Sequence, residues 1–123
     1  MPRVCIPTDD GIKVRKGEPS RAAHILIYEW TGNRWQLVLR LQNPYRNASP
    51  GDECKLAKLL SQHGCETLVA TLIRDEEKTC MQNANLEIVT VEPGAEIWDA
   101  LNKLSSRHAM EGKTLNPQVG ESG

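Results

Sequence analysis

The chain opens with a short apolar strand that runs straight into a paired-acid turn, Val4-Cys-Ile-Pro-Thr-Asp-Asp-Gly11. Pro7 and the Asp9-Asp10-Gly11 cluster stop the strand at residues 4–7. A second strand, residues 24–30, follows only after a polar loop over residues 8–23, longer than a packed connection needs. Thr31-Gly-Asn-Arg34 has the composition of a hairpin turn, so a third strand over residues 35–42 returns antiparallel to the second. Its alternation predicts Trp35, Leu37, Leu39 and Leu41 on one face. Gln36, Val38, Arg40 and Gln42 take the other, as expected for a half-exposed or edge strand.

Beyond residue 48 the period changes. Ser49 is the expected helix cap, with Pro50 at the first helical position and Asp52 three residues after the cap. Leu56, Leu59, Leu60 and His63 recur at helical spacing, and Gly64 ends the helix. Residues 67–72 form a continuous apolar run, as in a strand covered on both faces. Ile73, Glu77, Cys80, Met81 and Ala84 mark a second helix stopped by Asn85, and residues 87–91 a fifth strand. A third helix over residues 94–108 buries Ile97, Ala100, Leu101 and Leu104, with Lys103, Arg107 and His108 suiting its C-terminal dipole. Residues 109–123 lack periodicity and are expected to be a mobile tail on a single domain, residues 1–108.

Composition narrows the function classes. The 123 residues make one domain that can bury roughly two thirds of its unfolded surface. Fifteen basic against sixteen acidic residues leave a formal charge of −1, which argues against nucleic-acid binding and a polybasic membrane anchor. No apolar run approaches the roughly 18 residues that cross a bilayer. The N-terminal residues lack the apolar core of a signal peptide, so a cytoplasmic protein with reduced thiols at Cys5, Cys54, Cys65 and Cys80 is expected. No Cys-x-x-Cys or structural-zinc spacing occurs.

Three strands followed by helix, strand, helix, strand, helix define a mixed five-stranded α/β sheet with a ribonuclease H-like order: an antiparallel meander continued by two parallel strands. Right-handed crossovers then bring the end of strand one, the start of strand two and the ends of strands three and four to one edge. That edge collects Asp9, Asp10, Arg21, His24, Asn43, Cys54, Arg74, Asp75 and Cys80. Ligands in open α/β sheets bind beyond such strand ends.

These segments resemble the dinitrogenase iron–molybdenum cofactor biosynthesis family, the small NifX-like proteins, over roughly residues 3–105. The resemblance rests on Val4-Cys-Ile-Pro-Thr-Asp-Asp-Gly11, Arg21-Ala22 leading into Ile25-Leu-Ile-Tyr-Glu29, Asn43-Pro44, and a Gly-x-x-Cys helix start at Gly51 and Cys54. It implies a ribonuclease H-like fold and a non-enzymatic carrier of an iron–sulfur or molybdenum-containing cluster, or of a small anion. Cofactor-assembly proteins are the implied partners, and the chain is expected to be a monomer or a homodimer. Family members often carry His-Phe-Gly-Arg-Ala in the first loop, where this chain has Lys16-Gly-Glu-Pro-Ser-Arg-Ala22 and neither the histidine nor the aromatic. The glycine-rich loop after strand four is replaced by Ile73-Arg-Asp-Glu-Glu-Lys78. Such glycines let an anionic cluster approach backbone N–H groups, and acids there repel it.

The residues expected to bind a cofactor are therefore Asp10, Arg21, His24, Cys54 and Arg74, with Cys54, His24 and Cys80 as metal ligands. Cys54 near a helix N-terminus suits a soft metal as thiolate, His24 takes the place of the missing loop histidine, and Arg21 and Arg74 suit an anion. Each has a plain structural alternative: packing for the cysteines, turn capping for Asp9 and Asp10, solvation for the arginines. A scaffold that binds a protein and has lost cluster binding is the alternative reading. A two-metal nuclease built on Asp10, Glu53 and Asp75 is a third, but the first strand lacks an internal acid.

Overall fold

Strict alternation along the first strand sorts the core into two halves. The computed structural model describes residues 2–47, 49 and 52–105. β1 (Arg3–Thr8), β2 (His24–Trp30) and β3 (Trp35–Gln42) are followed by α1 (Glu53–Gln62), β4 (Thr67–Ala70), α2 (Asp75–Asn83) and β5 (Glu87–Thr90). A third helix, α3, covers residues 97–105. The sheet order is β3-β2-β1-β4-β5. β1–β2 and β2–β3 pair antiparallel, β1–β4 and β4–β5 parallel. This is the ribonuclease H-like arrangement the element order predicts.

Successive strand residues point to opposite faces, and each face has its own helices. Cys5, Ile25, Ile27 and Leu68 pack with Leu56 and Leu60 of α1 and Met81 of α2. Val4, Ile6, Leu26 and Val69 pack with Ile97, Ala100, Leu101 and Leu104 of α3. The expected double-sided burial of β4 is met: Leu68, Val69 and Ala70 are all buried.

Both helices of the first layer end in the same way. Gly64 has φ 77° and Asn85 φ 65°. The N–H that follows each donates back to a carbonyl five residues earlier, Cys65 to Leu60 (3.1 Å) and Leu86 to Met81 (2.9 Å). The start of α1 differs from expectation. The residue before the helix is Asp52, and Ser49 is not its cap. Ser49 instead closes a turn with Asp52: its N–H donates to Asp52 Oδ2 (3.2 Å), while its carbonyl accepts the Asp52 N–H (3.1 Å). Pro50, Gly51, the expected helix residues 106–108 and the expected tail 109–123 lie outside the described residues. Among those described, no helix is long and apolar enough to cross a membrane.

β3 is an edge strand, as expected, but its faces are not those the alternation predicts. Ile27 pairs with Leu39 and Tyr28 with Leu37, which leaves Val38 as an extra residue in a β-bulge. One inserted residue moves everything beyond it to the opposite face. Leu39 and Leu41 therefore pack on the α1/α2 side, whereas Trp35 packs on the α3 side. There the Trp35 Nε1–H donates to the Leu101 carbonyl (3.0 Å), and the ring lies 5.1 Å from that of Trp30.

Deleting Val38 restores strict alternation and forces either Trp35 or the Leu39/Leu41 pair off its face. Such a deletion is expected to destabilise the domain by about 2–4 kcal/mol in urea titration, whereas Val38→Thr changes stability by less than about 0.5 kcal/mol. Equal midpoints for the deletion and the parent would show that the bulge is not a fixed feature of the sheet.

Candidate functional site

The edge at which β1, β3, β4 and β5 end and β2 begins is organised by the first loop, whose polar residues are largely hydrogen-bonded within the protein. Thr8, at the end of β1, donates from Oγ1 to the Lys13 carbonyl (2.6 Å) and accepts the Gly11 N–H (3.0 Å). Asp10 Oδ1 accepts the N–H groups of Lys13 and Ile12, each at 2.9 Å. These two bonds hold the Asp10 carboxyl below the usual carboxylate range, the Lys13 contact acting most strongly. Asp9 binds the Ala23 N–H through Oδ1 (2.9 Å) and Arg15 Nη1 through Oδ2 (2.6 Å). Both acids shape the turn.

Further along, the loop is fastened to the strand ends. The Gly17 N–H donates to Thr71 Oγ1 (3.1 Å), and that hydroxyl donates to the Arg15 carbonyl (2.7 Å). Asn43, buried just after β3, donates from Nδ2 to the carbonyls of Ser20 (3.0 Å) and Ala22 (2.9 Å). Glu77 of α2 is fully buried at 0% exposure. Its Oε2 accepts the Ser20 N–H (3.1 Å), while Oε1 lies 3.4 Å from the Arg74 nitrogen. Sequence reasoning placed Glu77 in the second helix without assigning it a role. An acid in a first helical turn ordinarily faces water, so only tertiary placement reveals its use.

Arg21 and Arg74 meet at this edge around one carboxylate. Glu18 Oε1 lies 3.8 Å from Arg21 Nε, and its Oε2 lies 3.4 Å from Arg74 Nε. Arg21 also reaches the Arg46 carbonyl (3.4 Å). Both guanidinium groups remain nearly half exposed, so they can meet an anion from solvent.

The cysteines depart from the expectation of reduced thiols. Cys54, at the start of α1, is disulfide-paired with Cys80 of α2 at a Cα separation of 4.9 Å, and Cys5 is paired with Cys65 at 6.2 Å. The partners stand 26 and 60 residues apart in sequence, so it is the fold that brings them together. Cys5 faces the α1/α2 layer from the strand beside β4, and Cys65 leads into β4. Cys54 and Cys80 lie on helices that pack against each other.

His24 is not gathered with Cys54 and Cys80. It alternates with Ile25 and so projects toward the α3 face, whereas Cys80 packs with Ile25 on the other. Its Nδ1 is buried without a hydrogen-bond partner among the described residues. Asp75 begins α2, and the Glu53 side chain lies outside the description. Among the described residues, no three His, Cys, Asp or Glu side chains converge as metal ligands would.

The strand order and helix placement define a ribonuclease H-like α/β fold. The family model for dinitrogenase iron–molybdenum cofactor proteins matches residues 2–107, and the chain belongs to that family. Among solved structures, the apo form of the orange protein from Desulfovibrio gigas is similar at 17% identity and TM-score 0.72, covering 87% of this chain and 89% of that one. A putative NifB protein from Thermotoga is similar at 24% identity and TM-score 0.65, with 86% and 89% covered. At these identities the likeness shows the fold. No curated protein matches the sequence significantly.

Two outcomes test the edge as built. Glu77→Ala leaves the Ser20 N–H without its acceptor and opens a void, so a loss of about 2–3 kcal/mol in urea titration is expected, with faster amide exchange at Ser20. A change near zero would mean that the loop is held without it. Asp10 contributes stability that is full above its unfolded value of 3.8 and disappears as pH falls through the lower folded value. Urea midpoints of Asp10→Asn should therefore lie below the parent near neutrality and converge with it under acid. A gap that widens on acidification would reverse the sign of this assignment.

Proposed function

We propose that this chain is a non-enzymatic binding or carrier protein of iron–molybdenum cofactor biosynthesis, and that its cargo is a metal–sulfur cluster or a small anion held at the edge just described. The observation that carries this reading is the pairing of Cys54 with Cys80 across α1 and α2. Once reduced, two thiols whose Cα atoms stand 4.9 Å apart can both reach one soft metal centre, because the ligand is the thiolate. Arg74 immediately precedes α2, the helix that carries Cys80, and Ala22, next to Arg21, is buried in the same layer as Cys80. The arginines would balance the negative charge of thiolates and cargo. His24 belongs to this site only if β2 shifts, since its ring starts on the other face.

A second reading, a scaffold that binds a protein partner and no cluster, is favoured by the same pairing. A disulfide has no thiolate to offer.

Anaerobic incubation with iron, sulfide and molybdate, followed by metal analysis and visible absorbance, separates the two. Dithiothreitol-reduced protein should gain bound metal and a visible chromophore, while oxidised protein gains neither. Cys54→Ser should lose most of the uptake, and Arg74→Gln should weaken retention through a desalting column by several-fold. Absence of uptake by reduced protein would favour the scaffold. Undiminished uptake by Cys54→Ser would remove the cargo from this edge.

A further inference from the structure

On the opposite face of the sheet, β2 and β3 are only partly covered by α3, and the uncovered strip forms a cleft with a volume of about 300 Å³. Its walls are Ile12, Tyr28, Trp35, Ile97, Trp98 and Leu101, with Gly11 and Glu96 at the rim. The chain has no phenylalanine, three tryptophans and two tyrosines. Three of these few aromatic side chains therefore share one concavity, and Trp30 packs on Trp35 with the ring planes tilted by 59°.

Two features mark this cleft as built rather than left over. The first is exposure: Trp98 is 65% and Ile12 60% accessible, although both sit where a polar residue would serve folding equally well. The second is the bulge at Val38. It turns Leu37 and Trp35 toward α3 and keeps Arg40 on that same face, so the inserted residue sets an apolar end beside a cation. Bulges commonly re-aim side chains next to binding sites. Arg40 reaches the mouth of the cleft: its Nη2 would lie 4.0 Å from a Cβ added at Gly11, and its charge acts on the Tyr28 hydroxyl. Gly11 holds φ 78°, a left-handed conformation that glycine adopts without strain.

We infer that this cleft is a second binding site, for a planar bicyclic aromatic ligand carrying one carboxylate. The ring lies among Tyr28, Trp35 and Trp98, where flat faces and edges stack favourably. The carboxylate meets the Arg40 guanidinium, whose planar fork suits it. Glu96 at the rim disfavours a second negative group and can accept a ring N–H. The volume matches one bicyclic ligand, at the lower end for small-molecule pockets. This site lies across the sheet from Cys54 and Cys80 and does not depend on their chemistry.

Three indoles of different side chain and charge test the assignment: indole-3-acetate, indole and tryptamine, each titrated into the full chain. Calorimetry gives affinity, and the tryptophan Nε1–H signals in nitrogen–proton spectra give location. Indole-3-acetate should bind saturably with a dissociation constant of about 1 mM or tighter, shifting the Trp35 and Trp98 signals. Indole should bind about tenfold more weakly, and Arg40→Gln should reduce indole-3-acetate to the level of indole. Trp98→Ala should weaken both alike, and Cys54→Ser should change neither. The proposal is overturned if no ligand saturates by about 10 mM. It is equally overturned if tryptamine binds tightest and Glu96→Gln weakens it, or if Arg40→Gln leaves the ranking unchanged.

Discussion

Beyond Arg3, β1 is buried at every residue, and the rest of the molecule is arranged around that fact. It is hydrogen-bonded to β2 on one side and β4 on the other, and each of its faces is covered by helices. Val4 and Ile6 must satisfy the α3 layer while Cys5 satisfies the α1/α2 layer. A strand placed so can bear function only at its end, where Thr8, Asp9 and Asp10 leave the sheet. The loop that follows doubles back, and the Arg15 N–H donates to the Pro7 carbonyl (2.8 Å). Part of the long first loop thus completes the hydrogen bonding of the central strand, and the polar side chains beyond it are held in place by that return.

Much of this architecture is legible in the sequence because it follows from local pattern. The bounds of β2 coincide with a run rich in β-branched and aromatic residues, those of β3 with a leucine-rich run after a hairpin turn, and the helix ends with Gly64 and Asn85, residues that tolerate a positive φ. The element order then fixes which strand ends share an edge. Three things lay outside local pattern. The bulge at Val38 adds no distinctive residue type, so alternation alone assigns Trp35 to the wrong face. The pairs Cys5–Cys65 and Cys54–Cys80 exist only once parallel strands and facing helices are in place. Glu77 looks like any acid in a first helical turn, yet tertiary packing turns it fully inward.

Glu77 lies within residues 73–78, which hold no glycine. Where glycine-rich loops expose backbone N–H groups to an external anion, this chain supplies an internal one. The Glu77 carboxylate takes the Ser20 N–H and caps the start of α2 near the Arg74 N–H, in the position where a helix N-terminus attracts negative charge. An anion arriving at this edge finds those amides engaged. It meets side chains instead, the half-exposed guanidinium groups of Arg21 and Arg74, each already shared with Glu18. Recognition by mobile side chains is weaker in geometry and more responsive to charge than a rigid nest of amides. An anion proposed for this edge would therefore be met by side chains and not by a glycine-rich backbone.

The alternation that builds the core also keeps the two halves of the molecule chemically separate. Odd-numbered residues at the start of β2 face the sulfur pair and even-numbered ones face α3, so His24 and Cys80 stand on opposite sides of the sheet although both lie at one edge. Only the bulge departs from this parity, and it does so on the edge strand, where an unpaired residue disturbs one ladder instead of two. The same insertion within β1 or β4 would turn core residues of both layers at once. An edge strand is therefore the place where this fold can acquire a new surface without disturbing the core, and the aromatic cleft beside Arg40 has formed there.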